Sequence, residues 1–297
     1  MTTSQSQMVP NSSGTAPPQL KAPANACDSH HHIYDPARFA LPQPQPARPV
    51  PANSTVADYR LLQKCIGTTR NVVVQPRHYG TDNAVTLDAI KQLGKNARGV
   101  AVVHPSISDA ELQRFNDAGI RGIRFSLGDP KTRAVQPDMI EPLAERVAEF
   151  GWHIQFNIEA DQIVELADIL RRLPVPIVID HLGHPHLPAG VNDESHRIVR
   201  GLLDQGRAWL KLAGAYFNTK IGPPTYADAT QIAQAFVKAA PERLVWGSDW
   251  PHPSATDGKP DDSLLFDLLS VWAPDEAVRN RILVQNPETL YGFDQSA

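Results

Sequence analysis

Cysteine is almost missing from this chain: Cys27 and Cys65 are its two cysteines in 297 residues. That excludes a disulfide framework and suits a reducing, cytoplasmic setting. No charge of one sign dominates either. With 28 Lys and Arg against 32 Asp and Glu, the net charge is -4, which leaves no basic footprint for a nucleic acid. No run approaches the roughly 20 apolar residues that cross a bilayer, so a membrane partner is not expected. The first residues, rich in Ser, Thr, Gln and Pro, lack the apolar core of a secretory signal, and residues 1–22 are expected to be a disordered tail.

What is present is alternation. An apolar fraction of 41% can fill one large core. After a proline-rich loop over Asp35 to Ser54, β-branched runs such as Asn71-Val72-Val73-Val74 and Ile177-Val178-Ile179 alternate with helical segments. Thr55 with Asp58, and Ser108 with Glu111, have the spacing of helix-opening capping boxes. Counting from Ala26, eight strands emerge, separated by helices. Continuous apolar strands joined by helices imply a parallel sheet covered on both faces. Eight such units predict a single-domain α/β fold, a (β/α)8 TIM-type barrel over residues 23–297. An open doubly wound sheet is the alternative, but no Gly-x-Gly-x-x-Gly turn follows the first strand.

Barrel active sites form at the carboxyl ends of the strands, and polar groups crowd those ends here. The first strand carries Asp28-Ser29-His30-His31-His32. In an extended chain His30 and His32 share a face, roughly 6–7 Å apart, while His31 points the other way. The sixth strand ends Asp180-His181-Leu182-Gly183, and the eighth Trp246-Gly247-Ser248-Asp249-Trp250-Pro251-His252. Two imidazoles and a carboxylate suit zinc or manganese. His30, His32 and Asp249 supply that set, and His181 is either a further ligand or a hydrogen-bond donor to substrate. A divalent ion there activates water and polarises a carbonyl, and Asp249 is placed to take a proton. Each residue has a plainer reading: a surface histidine cluster, a core histidine at 181, a loop-capping carboxylate at 249. His252 either lines the pocket or packs beside Trp250. The shared placement at one end of the barrel favours a site.

Together these motifs, with Asn286-Pro287-x-x-x-Leu290-Tyr291 near the end, resemble the amidohydrolase superfamily over about residues 24–293. More narrowly, the chain resembles the lactone-hydrolysing branch that includes 2-pyrone-4,6-dicarboxylate and sulfomuconolactone hydrolases. The segments from Gly80 to Ile90 and from Arg121 to Phe125 look most like the pyrone hydrolases. The resemblance implies that Arg124 holds a substrate carboxylate, helped by Arg77 and His78. It departs in two places: Asn157 stands on the fifth strand where a tyrosine is usual, and Tyr216 follows the seventh where an arginine is usual. Tyr216 is more like the sugar-lactone members. The superfamily's bridging lysine or glutamate is missing, so one metal ion, zinc or manganese, or metal-free action, is expected.

The expected function is therefore hydrolysis of a small anionic lactone from aromatic-compound breakdown, 4-sulfomuconolactone or a pyrone dicarboxylate among the candidates. Asp249 and His181 are the catalytic pair; Arg77, His78, Arg124, Asn157, Tyr216 and His252 bind substrate. A sugar-acid lactonase, a lactone isomerase, a metal-dependent decarboxylase and a non-catalytic binding barrel are the rivals. Composition leaves the oligomeric state open.

Overall fold

The computed structural model describes residues 8–42, 49–128, 130, 133–217 and 219–295. Eight parallel strands form one sheet in chain order: β1 (Cys27–His31), β2 (Arg70–Val74), β3 (Ala97–Ala101), β4 (Ile120–Ser126), β5 (His153–Asn157), β6 (Ile177–Ile179), β7 (Ala208–Leu212) and β8 (Leu244–Trp246). The helices that follow them are α1 (Val56–Ile66), α2 (Ala84–Leu93), α3 (Asp109–Asp117), α4 (Ile140–Ala148), α5 (Ala160–Glu165), α6 (Ala167–Arg172), α7 (Glu194–Asp204), α8 (Ala227–Ala239) and α9 (Asp262–Trp272). This is the (β/α)8 barrel the sequence predicts. Both capping boxes form, Thr55 with Asp58 and Ser108 with Glu111. Each satisfies two backbone N–H groups that would otherwise be orphaned at a helix start. No described helix is long and apolar enough to cross a membrane.

The barrel closes where β1 meets the chain leaving β8. Asp249 N–H donates to the His30 carbonyl and His32 N–H to the Trp250 carbonyl, each at 2.8 Å. Gly247 permits the approach: a Cβ there would stand 2.6 Å from the His30 Cβ. Residues more than two hundred positions apart are thus held side by side by backbone hydrogen bonds.

Inside the barrel, Cys27, Val72, Val74, Val100, Val178, Trp209 and Val245 pack as one apolar layer, covered by Tyr291 and Phe293. A larger cluster joins other strand residues, such as Val73 and Ile123, to the helices through Leu62, Leu143 and Phe236. Strict alternation along β1 would put Asp28 on the same face as His30. Instead the β1–β2 register shifts between Asp28 and His31, a bulge that resets the phase. Asp28 therefore turns towards the helices, where Tyr59 of α1 and Ser248 donate to it at 3.0 and 2.7 Å.

The tail also differs from expectation. Residues 1–7 lie outside the described residues, but from Met8 the chain runs against the barrel. Trp250 Nε1 donates to the Pro10 carbonyl, Asp262 N–H to Ser12 Oγ and Ser263 Oγ to the Ala16 carbonyl, at 2.7, 3.0 and 2.7 Å. Asp267 accepts from the backbone of Gln19 and Leu20. Its low apolar content hid this ordering, because the segment is held mainly through backbone polar groups.

Candidate active site

At the carboxyl end of the barrel, His30, His32 and Asp249 converge. The His30 and His32 Nε2 atoms are 3.3 Å apart, and Asp249 Oδ1 lies 3.3 Å from the first and 3.4 Å from the second. All three side chains are buried. His32 Nδ1 faces the Val74 carbonyl at 2.8 Å; a carbonyl only accepts, so the hydrogen sits on Nδ1 and the Nε2 lone pair faces the cluster. His31 points away, stacked on Tyr59 with ring centroids 3.6 Å apart.

Backbone conformation aims the carboxylate and its neighbours. Asp249 has φ of 59°, His181 50° and His252 55°, left-handed values that cost non-glycine residues energy and concentrate at functional sites. His181 Nε2 lies 3.9 Å from Asp249 Oδ1, outside the tight trio, and its buried Nδ1 has no hydrogen-bond partner among the described residues. Burial holds the His181 imidazole down to about 4, so the ring is neutral near pH 7. Burial alone would push the Asp249 carboxyl up; the imidazoles around it, His181 first and then His32 and His30, more than reverse this and keep it ionised.

The residues matched by the family model for amidohydrolases run from 27 to 293, almost the whole barrel. The chain belongs to the amidohydrolase family. Among its relatives, the 2-pyrone-4,6-dicarboxylate hydrolase of Comamonas testosteroni is 36% identical over 92% of this chain and 92% of its own length. The 4-sulfomuconolactone hydrolase of Rhizobium radiobacter is 35% identical over 94% of this chain and 93% of its own. An apo crystal structure from Agrobacterium tumefaciens superposes with a TM-score of 0.84 at 29% identity, covering 94% of this chain and all of that one.

Beneath the trio this amidohydrolase carries a second, charged layer. Lys211 of β7 is fully buried and donates to the Ser29 carbonyl (2.9 Å) and to Gln155 Oε1 (2.7 Å), with its Nζ 3.2 Å from His30 Nδ1. Burial lowers its ammonium to about 8, against the pull of Asp180. Asp180 Oδ2 accepts from Arg124 Nε at 3.0 Å, Arg124 Nη2 at 2.9 Å and Gln155 Nε2 at 3.0 Å. Against burial, Arg124 first and then His30 and Lys211 keep Asp180 ionised. A buried charge needs such partners to be tolerated.

Two groupings of these side chains have ligand-type spacing, His30–Asp180–His181 and His30–His32–Asp249. The first is already neutralised by Arg124 and Lys211. The second presents a carboxylate oxygen and imidazole nitrogens with no cation of the protein between them. Donor atoms bound at about 2.05 Å in a tetrahedral shell lie about 3.3–3.4 Å apart, and the three distances here are 3.3, 3.3 and 3.4 Å. Asp180 Oδ1 is buried with no hydrogen bond among the described residues, 3.3 Å from His30 Nδ1. It can accept that ring hydrogen, and doing so frees His30 Nε2 as a ligand atom. The trio therefore fits one divalent ion.

The remaining expected residues are spread around this centre. Arg77 is exposed and His78 half-buried after β2, with His78 Nδ1 3.2 Å from Tyr34 OH. Asn157 ends β5, half-buried. Arg124, expected to hold a substrate carboxylate, commits two of its N–H groups to Asp180. Tyr216 donates to Asp249 Oδ2 at 2.6 Å. His252, expected among the substrate contacts, has no exposed surface and lies behind Tyr216. Asp180 stands at a strand end in the sequence, but its role with Gln155 and Lys211 depends on three side chains meeting inside the barrel. The period-2 pattern of Trp209 and Lys211 was the one available signal.

Proposed function

We propose that this amidohydrolase opens the ring ester of a small anionic lactone with water, in the cytoplasm. The observation that carries the reading is the trio His30, His32 and Asp249, whose carboxylate stands ionised beside a neutral His181. Its likeness to two lactone hydrolases over more than nine-tenths of the chain supports the substrate class. Zinc is the preferred ion on the spacing of the donor atoms, held by His30, His32 and Asp249. When bound it supplies polarisation of the ester carbonyl and activation of water.

The chain's own groups do the rest. Asp249, ionised near pH 7, accepts the proton of the attacking water and returns it to the ring oxygen as the acyl–oxygen bond breaks. His181 places Nε2 beside the reacting carbonyl and donates to its oxygen as negative charge develops, the contribution that is usually largest in acyl transfer. The remaining N–H groups of Arg124, with Arg77 and His78 from the loop after β2, read a carboxylate or sulfonate on the ring. Tyr216 and Asn157 fill places that shape the pocket against other rings. A muconolactone bearing a sulfonate, or a pyrone dicarboxylate, meets these demands.

The test is a pH-indicator screen of purified protein against carboxylated, sulfonated and sugar-derived lactones. Acid release on an anionic lactone, lost in Asp249→Asn, is expected. Isomerisation without acid release, or full turnover by Asp249→Asn, would overturn the reading.

A further inference from the structure

Behind the proposed reaction centre, Tyr216 leads to two side chains with no part in the steps above, His252 and Asp262. Tyr216 OH lies 2.6 Å from Asp249 Oδ2 and 3.1 Å from His252 Nδ1. His252 Nε2 lies 3.1 and 3.2 Å from the two oxygens of Asp262. His252 is 0% exposed and Asp262 2%, so neither meets substrate. An ionised carboxylate oxygen can only accept, so the Tyr216 hydroxyl proton points at Asp249. His252 Nδ1 faces the Tyr216 oxygen, and Asp262 holds the ring by its opposite edge.

We propose that His252 and Asp262 are positioning residues, acting through Tyr216 to fix which oxygen of Asp249 faces the two histidines. A free carboxylate rotates about its terminal bond and presents either oxygen. With Oδ2 tied to Tyr216, Oδ1 alone is left at 3.3 and 3.4 Å from His30 and His32. A buried carboxylate such as Asp262 is costly without a partner, and among the described residues His252 is the side chain it bonds. The His252–Asp262 pair is held at both ends. The carboxylate sits at the first turn of α9, its own N–H donates to Ser12 Oγ from the N-terminal segment, and Lys259 Nζ donates to the His252 carbonyl at 2.7 Å. Outer partners of this kind tune ligand affinity about 10–100-fold when removed.

This inference rests on the reading that Asp249 serves both a divalent ion and the reaction, so two readouts are used. Zinc affinity is measured by competition with a chelator, and kcat and KM are measured on the best lactone. Asp262→Ala is expected to weaken zinc about tenfold and to lower kcat about tenfold with KM unchanged. Asp262→Asn, which keeps an acceptor of the same shape against His252, recovers most of both. In a Tyr216→Phe background Asp262→Ala has no further effect, because the two act in series. If Asp262→Ala fails to fold, His252→Gln carries the same test. Unchanged zinc affinity and kcat in Asp262→Ala, an equal loss in the Tyr216→Phe background, or no zinc binding by the wild-type protein would overturn the proposal. Wild-type protein that binds zinc with this mutational pattern but opens no lactone would sink the functional reading alone.

Discussion

At the level of single residues, the proposed reaction centre depends on groups whose ionisation is set by burial and by one another. Asp249→Asn keeps the shape and the Tyr216 contact but cannot take a proton. We expect kcat to fall by about 10²–10⁴ in steady-state assays, with the folded structure unchanged by circular dichroism. Gly122 is a second sensitive point. A Cβ there would stand 2.4 Å from His153 Nε2, inside a packed barrel where the imidazole cannot easily retreat. Gly122→Ala should cost about 1–3 kcal/mol of stability by overpacking, measured by urea unfolding, and a wild-type midpoint would contradict the packing account.

Among the elements, the short stretch from Pro10 to Leu20 stands out, because it ties α9 and the chain after β8 together. It accepts the Trp250 indole N–H, caps Asp262 and donates to Asp267. Removal of residues 1–20 should lower the thermal midpoint by several degrees, since each lost hydrogen bond is worth about 1 kcal/mol. Scanning calorimetry checks this; an unchanged midpoint would mean the segment is merely laid on the surface. The sequence made the strands and both capping boxes legible because each rests on local pattern: β-branched runs, and a Thr or Ser three residues before an acid. The bulge in β1 was not legible, since a register shift depends on the neighbouring strand. The stretch from Ala160 to Arg172 forms two helices, α5 and α6, with Leu166 between them at φ -90° and ψ 2°. Nothing in the apolar periodicity of that stretch signals the break.

For the whole molecule, the strand-end rule brings His30, His32 and Asp249 together, because a barrel gathers its strand ends in one place whatever their distance in the chain. His30, His32 and Asp249 were legible for that reason. Partners that act through other side chains were not: Lys211 beneath His30, and Asp262 behind His252, are joined only by packing. The same burial makes stability depend on pH. His31 and His153 are held down to about 3 by burial, and His181 to about 4, whereas unfolded histidines titrate near pH 6.5. The unfolded chain therefore binds more protons as pH falls from about 6.5 towards 3, and stability is lost through that window. Asp28, raised to about 6 by burial, opposes this, since the native state takes its proton first. Unfolding free energy should fall between pH 7 and pH 4, with a shallower slope in His153→Leu; a flat profile would contradict the buried-imidazole assignment. Chelation should abolish turnover, and added zinc restore it.

The most direct measurement of the central claim, that water adds to the ring carbonyl at the meeting point of His30, His32, His181 and Asp249, is hydrolysis of the best lactone in ¹⁸O-labelled water. Mass spectrometry of the product should find one label in the newly formed carboxylate and none in the hydroxyl released from the ring. Label in the hydroxyl, or an unlabelled isomer, would contradict it.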